Sequence, residues 1–110
     1  DLLVLPSLPT ATFREPWGLV INEAMLQRTP VIASDAVGAA AGGLVVDGAT
    51  GAVFPAGDER SLARSLSVLA DDRMLRARLG EQARERALAL DPRAWADGMR
   101  AALVSAGVGR

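Results

Sequence analysis

The chain has 110 residues, room for one domain and not for two, and a domain of this size buries roughly 65% of its unfolded surface. Half of the residues are hydrophobic and 23% are charged, which excludes a disordered tail; a net charge of −1 excludes the broad positive field of a nucleic-acid binder. All twelve basic residues are Arg, and with Lys, His and Cys absent there is no zinc site, thiol nucleophile, disulfide, Ser-His-Asp triad or Schiff-base lysine.

Leu2 to Leu5 is a short apolar run closed by Pro6-Ser7-Leu8-Pro9, and reads as a buried strand that runs into a loop. The loop continues to Glu15-Pro16, where Pro16 holds Glu15 extended. From Trp17 the spacing of Leu19, Val20, Glu23, Ala24 and Leu26 predicts a helix, with Arg28 in its last turn and Pro30 ending it. Val31-Ile32-Ala33 reads as a second strand. Ser34 to Gly43 is rich in Gly and Ala and reads as a loop, followed by a brief helical turn at Leu44-Val45-Val46. Asp47-Gly48-Ala49-Thr50-Gly51 is a strong turn signal before a third strand at Ala52-Val53-Phe54. Asp58 is the N-cap of a helix that carries Leu62, Leu66 and Leu69 on one face. A second helix covers Arg73 to Leu88, and Asp91-Pro92 caps and starts a third, in which Trp95 and Met99 read as a core anchor. No apolar run approaches the ~18 residues of a membrane span.

Strands separated by helices imply an α/β fold with a parallel sheet, here part of a Rossmann-like domain with a helical C-terminal end. Three strands are few for such a sheet and leave an edge open, so the chain reads as the C-terminal part of a larger domain, prone to pair with a second copy through that edge.

Glu15 and Glu23 lie eight residues apart, with Pro16 and Gly18 between them. If a helix starts near Gly18, the free N–H groups of Gly18, Leu19 and Val20 point between the two carboxylates. Orphan amides at a helix N-terminus suit phosphate, whereas a carboxylate suits sugar hydroxyls, whose O–H hydrogen bonds it accepts. A phosphate flanked by two hydroxyl-bearing rings describes a nucleotide sugar. On spacing alone the favoured reading of the two glutamates is ordinary solvated or helix-terminal acids, mildly stabilising by ~0.3–1 kcal/mol. Asp35 and Asp47 lack a third ligand for a metal and read as turn and cap residues. The helix from Arg73 to Arg86, where Arg alternates with Glu81 and Glu85, reads as a solvated, ion-paired face.

Glu15-Pro-Trp-Gly-Leu-Val-x-x-Glu23-Ala-Met, then Pro30-Val-Ile-Ala-Ser-Asp35, Asp47-Gly-x-x-Gly51 and Pro55-x-Gly-Asp58 together resemble the family 4 glycosyltransferases of the GT-B fold. The resemblance runs from Asp1 to about Leu69. It implies that residues 1–110 belong to the C-terminal, donor-binding domain of an enzyme that transfers a sugar from a nucleoside-diphosphate sugar to an acceptor with retention of configuration. It also implies that Glu15 binds the transferred sugar, that the backbone of Trp17, Gly18, Leu19 and Val20 lies along the diphosphate and nucleoside, and that Glu23 holds the ribose. No cofactor and no bound metal follow from it. The partners it implies are the donor and a missing N-terminal domain. The location it implies is the cytoplasm, with peripheral contact to a membrane.

Two departures stand out. Where the family often has Gly-Gly-x-Pro-Glu, this chain has Asp35-Ala-Val-Gly-Ala-Ala-Ala-Gly-Gly43, so the usual Glu is missing. The family's phosphate-binding Arg/Lys pair lies upstream of anything matched here; Arg14 is either a substitute or a surface arginine. A non-catalytic α/β association module is the alternative from a different class. A phosphoacceptor receiver is disfavoured because its chemistry needs a Lys.

Overall fold

In the computed structural model, which describes residues 1–109, the elements run β1 (Leu3–Leu5), α1 (Leu19–Leu26), β2 (Val31–Ser34), α2 (Gly38–Ala41), β3 (Gly51–Phe54), α3 (Glu59–Asp71), α4 (Arg73–Ala89) and α5 (Pro92–Ser105). The three strands form one parallel sheet in the order β1-β2-β3. Leu3 pairs with Val31 and Leu5 with Ala33; on the other side of β2, Val31 pairs with Gly51 and Ser34 with Phe54. The expected α/β class with a parallel sheet is what the structure has.

Every residue of β2 is buried, as a central strand covered on both faces requires. Alternation then divides the core in two. Val31 and Ala33 face Ile21 and Met25 of α1 together with Ala83 and Ala87 of α4, with Leu3, Leu5 and Val53 beside them. Ile32 and Phe54 face Leu69 of α3 and Leu79 of α4, with Val4, Leu62 and Leu75 at the margin. Helix α4 contributes to both clusters, so it locks α1 and α3 to the same sheet.

The long helices start where aspartates cap them. Asp58, Asp72 and Asp91 accept the amide protons of Ser61, Leu75 and Ala94 at 3.0, 2.8 and 2.7 Å, and Pro92 occupies the first turn of α5. The Ser61 amide and hydroxyl together hold the Asp58 carboxyl below its ordinary value of 3.8. A carboxyl depressed by folding stabilises above its unfolded pKa and loses that contribution as pH falls through the folded value. The start of α3 is therefore expected to weaken below about pH 4. Asp58→Asn should flatten this acid dependence, as measured by thermal unfolding across pH 2–6.

Four local expectations need correction. The first helix starts at Leu19 and not at Trp17, because Gly18 adopts a left-handed conformation that no helix continues through. Arg28 lies beyond the end of α1, not in its last turn; its φ of 58 lets Thr29 N–H reach back to the Ala24 carbonyl. The Gly/Ala loop contains a helix, α2. Leu44 and Val45 form no helical turn: both are buried, with both amides donating to the Ala39 carbonyl.

Two side-chain expectations fail as well. Trp95 is 68% exposed and no residue of α5 is buried, so it is not a core anchor. The arginines of α4 are not paired along their own helix. Arg76 donates to the Leu69 and Ala70 carbonyls and Arg84 to the Leu26 carbonyl, at the C-terminal ends of α3 and α1. Arg86 donates to the Gly43 carbonyl, and Glu81 pairs across to Arg28 at 2.7 Å. A guanidinium offers five donors, so orphan carbonyls at helix ends compete well with exposed glutamates.

Candidate functional site

The loops that follow β1, β2 and β3 meet at the carboxyl edge of the sheet. Ser34 Oγ donates to the Ser7 carbonyl at 2.6 Å, joining the first two loops. Asp35 Oδ1 accepts the Ala56 amide at 2.9 Å and joins the second to the third. Asp47 Oδ1 accepts the Val53 amide, so both aspartates are turn-forming acceptors.

Gly18 sits over this edge with φ 87 and ψ 67. A Cβ there would lie 2.8 Å from Leu5 Cδ2 and 3.3 Å from Val37 Cγ1, so both conformation and space call for glycine. The chain then enters α1, whose N-terminus has no side-chain cap, unlike those of α3, α4 and α5. Among the described residues the amides of Leu19 and Val20 have no protein acceptor. Leu19 is 72% exposed and Val20 is exposed, so these amides open onto solvent.

Ile21 and Met25 turn into the core, which places Leu19 and Glu23, one turn apart, on the outer face of α1. Glu23 stands about 6 Å along the axis from Leu19. Glu15 is half-buried on the other side of Gly18, and its carbonyl accepts the Gly38 amide at 3.1 Å. The Trp17 carbonyl accepts the Ala39 amide at 2.9 Å, while its indole N–H donates to Asn22 Oδ1 at 2.8 Å. Thus Trp17, Gly18, Leu19 and Val20 form one continuous segment between the two carboxylates. Arg14 is exposed in the preceding loop.

Asn22, Gly38 and Ala39 support this segment and were not identified from sequence. The available signal was chemical: an indole N–H beside the core needs an acceptor, and Asn22 offers one about a turn into the helix that follows. A surface cavity of about 390 Å³ lies elsewhere, at the amino end of β3 between Asp47, Arg64, Leu69 and Leu79. A second cavity, about 320 Å³, adjoins the motif itself and is lined by Trp17, Asn22, Asp91 and Trp95.

A parallel α/β sheet with an open helix N-terminus at its carboxyl edge is an arrangement in which α/β proteins commonly bind anionic ligands. The family model for group 1 glycosyl transferases matches residues 1–86, and the chain belongs to that family. It is 41% identical over 86 residues to a D-inositol 3-phosphate glycosyltransferase of Streptomyces avermitilis, covering 76% of this chain and 16% of that protein. A Corynebacterium glutamicum protein of the same description is 39% identical over 90 residues, or 79% of this chain and 19% of its own length. Among solved structures, the sucrose-phosphate synthase of Thermosynechococcus elongatus superposes with a TM-score of 0.71 at 34% identity, over 94% of this chain and 25% of the other. Anabaena HepE, solved in complex with UDP-glucose, gives 0.71 at 31% identity, over 96% of this chain and 28% of its own. These structural neighbours are GT-B glycosyltransferases. The chain therefore spans less than a fifth of the curated relatives and little more than a quarter of the solved ones. No helix among the described residues is long and apolar enough to cross a membrane.

Proposed function

We propose that this chain is the donor-binding part of a family 4, retaining glycosyltransferase that moves a sugar from a nucleoside-diphosphate sugar to an acceptor. The observation that carries this reading is the uncapped N-terminus of α1, set between Glu15 and Glu23 at the carboxyl edge of the sheet. The complex of a structural neighbour with UDP-glucose supports it.

In the reaction the bond from the anomeric carbon to the diphosphate breaks as one to the acceptor oxygen forms, and the acceptor's hydroxyl proton passes to the departing diphosphate. Negative charge collects on the departing diphosphate, where the Leu19 and Val20 amides and the α1 dipole stabilise it without reorganising. Glu15 accepts hydrogen bonds from the sugar hydroxyls and orients the ring. Glu23, one turn into the helix, accepts them from the ribose of the same donor. The acceptor is held by the domain across the cleft, so the chain by itself binds donor weakly and does not turn over. The open edges of β1 and β3 and the uncovered apolar residues of α5 are surfaces for the rest of the polypeptide or a second copy.

The two carboxylates are expected to do separable work. A hydrogen bond to a charged group is worth about 1.5–3 kcal/mol, a ten- to hundredfold change in affinity. In the full-length enzyme, Glu23→Gln should weaken binding of the free nucleoside diphosphate by that factor. Glu15→Gln should spare that binding and lower turnover of the nucleotide sugar. If both variants keep wild-type kinetics with the nucleotide sugar, the donor reading is wrong. The open sheet edges favour the association module as the second reading; such a module would show no nucleotide-dependent shift in calorimetry.

A further inference from the structure

We propose that α2 is a positioning element for the donor motif, and that Gly38 and Gly42 are glycines because Pro16 and Trp17 occupy the space their side chains would need. This inference rests on the donor reading and concerns how Glu15 is placed within it. Neither glycine is required by conformation. Gly42 has φ −82 and ψ 1, and Gly38 is absent from the positive-φ positions of the backbone. Alanine is the better helix former, and residues 39–41 are all alanine, so local propensity favours alanine at 38 as well.

Space forbids it. A Cβ on Gly38 would lie 1.7 Å from the Pro16 carbonyl oxygen and 2.9 Å from the Trp17 Cα. A Cβ on Gly42 would lie 2.7 Å from Trp17 Cζ3. At the same point two hydrogen bonds cross, from the Gly38 amide to the Glu15 carbonyl and from the Ala39 amide to the Trp17 carbonyl. Helix and motif thus touch backbone to backbone, and the height of Glu15 above the sheet is set by how closely α2 approaches. Glu23 is not placed this way. It rides on α1, which is seated independently by Ile21 and Met25 in the core. A methyl at position 38 would therefore push Glu15 and Pro16 outward and leave Glu23 and the Leu19 and Val20 amides, all carried by α1, where they are.

The test is Gly38→Ala in the full-length enzyme, with Gly42→Ala beside it. A displacement of about 1 Å at a positioning group costs up to about a hundredfold in rate. Gly38→Ala is expected to raise KM for the nucleotide sugar, or lower its turnover, by at least about tenfold, while affinity for the free nucleoside diphosphate stays within about threefold. Combining it with Glu15→Gln should add little further loss, because both act through one group. Gly42→Ala should act in the same direction and more weakly, because the rim of an indole yields more easily than a carbonyl. Folded variants with wild-type donor kinetics would overturn the proposal, as would an equal loss of nucleotide-sugar and free-diphosphate binding. If Gly38→Ala does not fold, Gly42→Ala decides by the same two measurements. Silent Glu15→Gln and Glu23→Gln together remove the donor reading itself, whereas an impaired Glu15→Gln with silent glycine variants removes only the role of α2.

Discussion

Ile32→Ala is expected to lower the unfolding free energy by about 3–4 kcal/mol, read as an earlier midpoint at unchanged slope in urea unfolding. Ile32 is fully buried at the middle of the central strand, between Phe54, Leu69 and Leu79. The truncation removes three carbons from a cluster drawn from β2, β3, α3 and α4. Neighbours held on a sheet cannot collapse into the space, so the cavity cost adds to the lost transfer energy. Domains of this size hold only about 5–15 kcal/mol in all, so this one change consumes a large share. Ile32→Val, which keeps the branch at Cβ, should cost about 1 kcal/mol. Equal effects from the two variants would show that the site is not packed as described.

Gly80→Ala is expected to destabilise by about 2–3 kcal/mol, although alanine favours a helix interior by about 1 kcal/mol over glycine. A Cβ on Gly80 would lie 2.2 Å from the Arg28 carbonyl oxygen, where α4 crosses the end of α1. Neither backbone can yield without parting α1 from α4. Their seam also carries Met25, Ala83 and Ala87, and the Arg84 bond to the Leu26 carbonyl. Gly98, within α5, provides the control, because nothing lies within 4 Å of a Cβ placed there. Gly98→Ala should leave the main unfolding transition in place and raise helical content slightly. A stabilising Gly80→Ala, by calorimetry, would mean that the two helices lie farther apart.

Much of the framework was legible because its signals are local. Pro6 and Pro9 close β1, Pro30 separates α1 from β2, and Asp58 and Asp91-Pro92 each sit where a helix needs a cap and an entry residue. Several of the misread features depend on partners distant in sequence. Helix α2 has no apolar periodicity; its place is fixed by the carbonyls of Glu15 and Trp17, more than twenty residues earlier. The Arg and Glu spacing on α4 is that of intrahelical pairs, yet Arg84 reaches a carbonyl 58 residues away and Arg86 one 43 away. Leu44 and Val45 look like an isolated apolar run and are core. Trp95 and Met99 have the spacing of a buried stripe, but spacing alone does not say what covers it.

The candidate site was legible to a similar extent. Eight residues and a Gly-Pro punctuation located the segment from Glu15 to Glu23, because a helix N-terminus and two carboxylates are chemistry carried by adjacent residues. The support beneath it, from Asn22, Ser34, Gly38 and Ala39, consists of one indole bond, one hydroxyl bond and two backbone amides. Backbone donors leave no mark on residue type, and only the small size of Gly38 records the contact.

The exposure of α5 divides the molecule into two compartments of stability. A helix of fourteen residues is near the length at which free helices in water are marginal, and this one buries no side chain. Its opening free energy is that of a capped peptide and not of the sheet, so its amide hydrogens exchange by local fraying while those of β2 wait for global unfolding. A surface that covered Trp95, Met99 and Leu103 would supply most of the ordering of this segment, and protection of its amides from exchange would then report that contact.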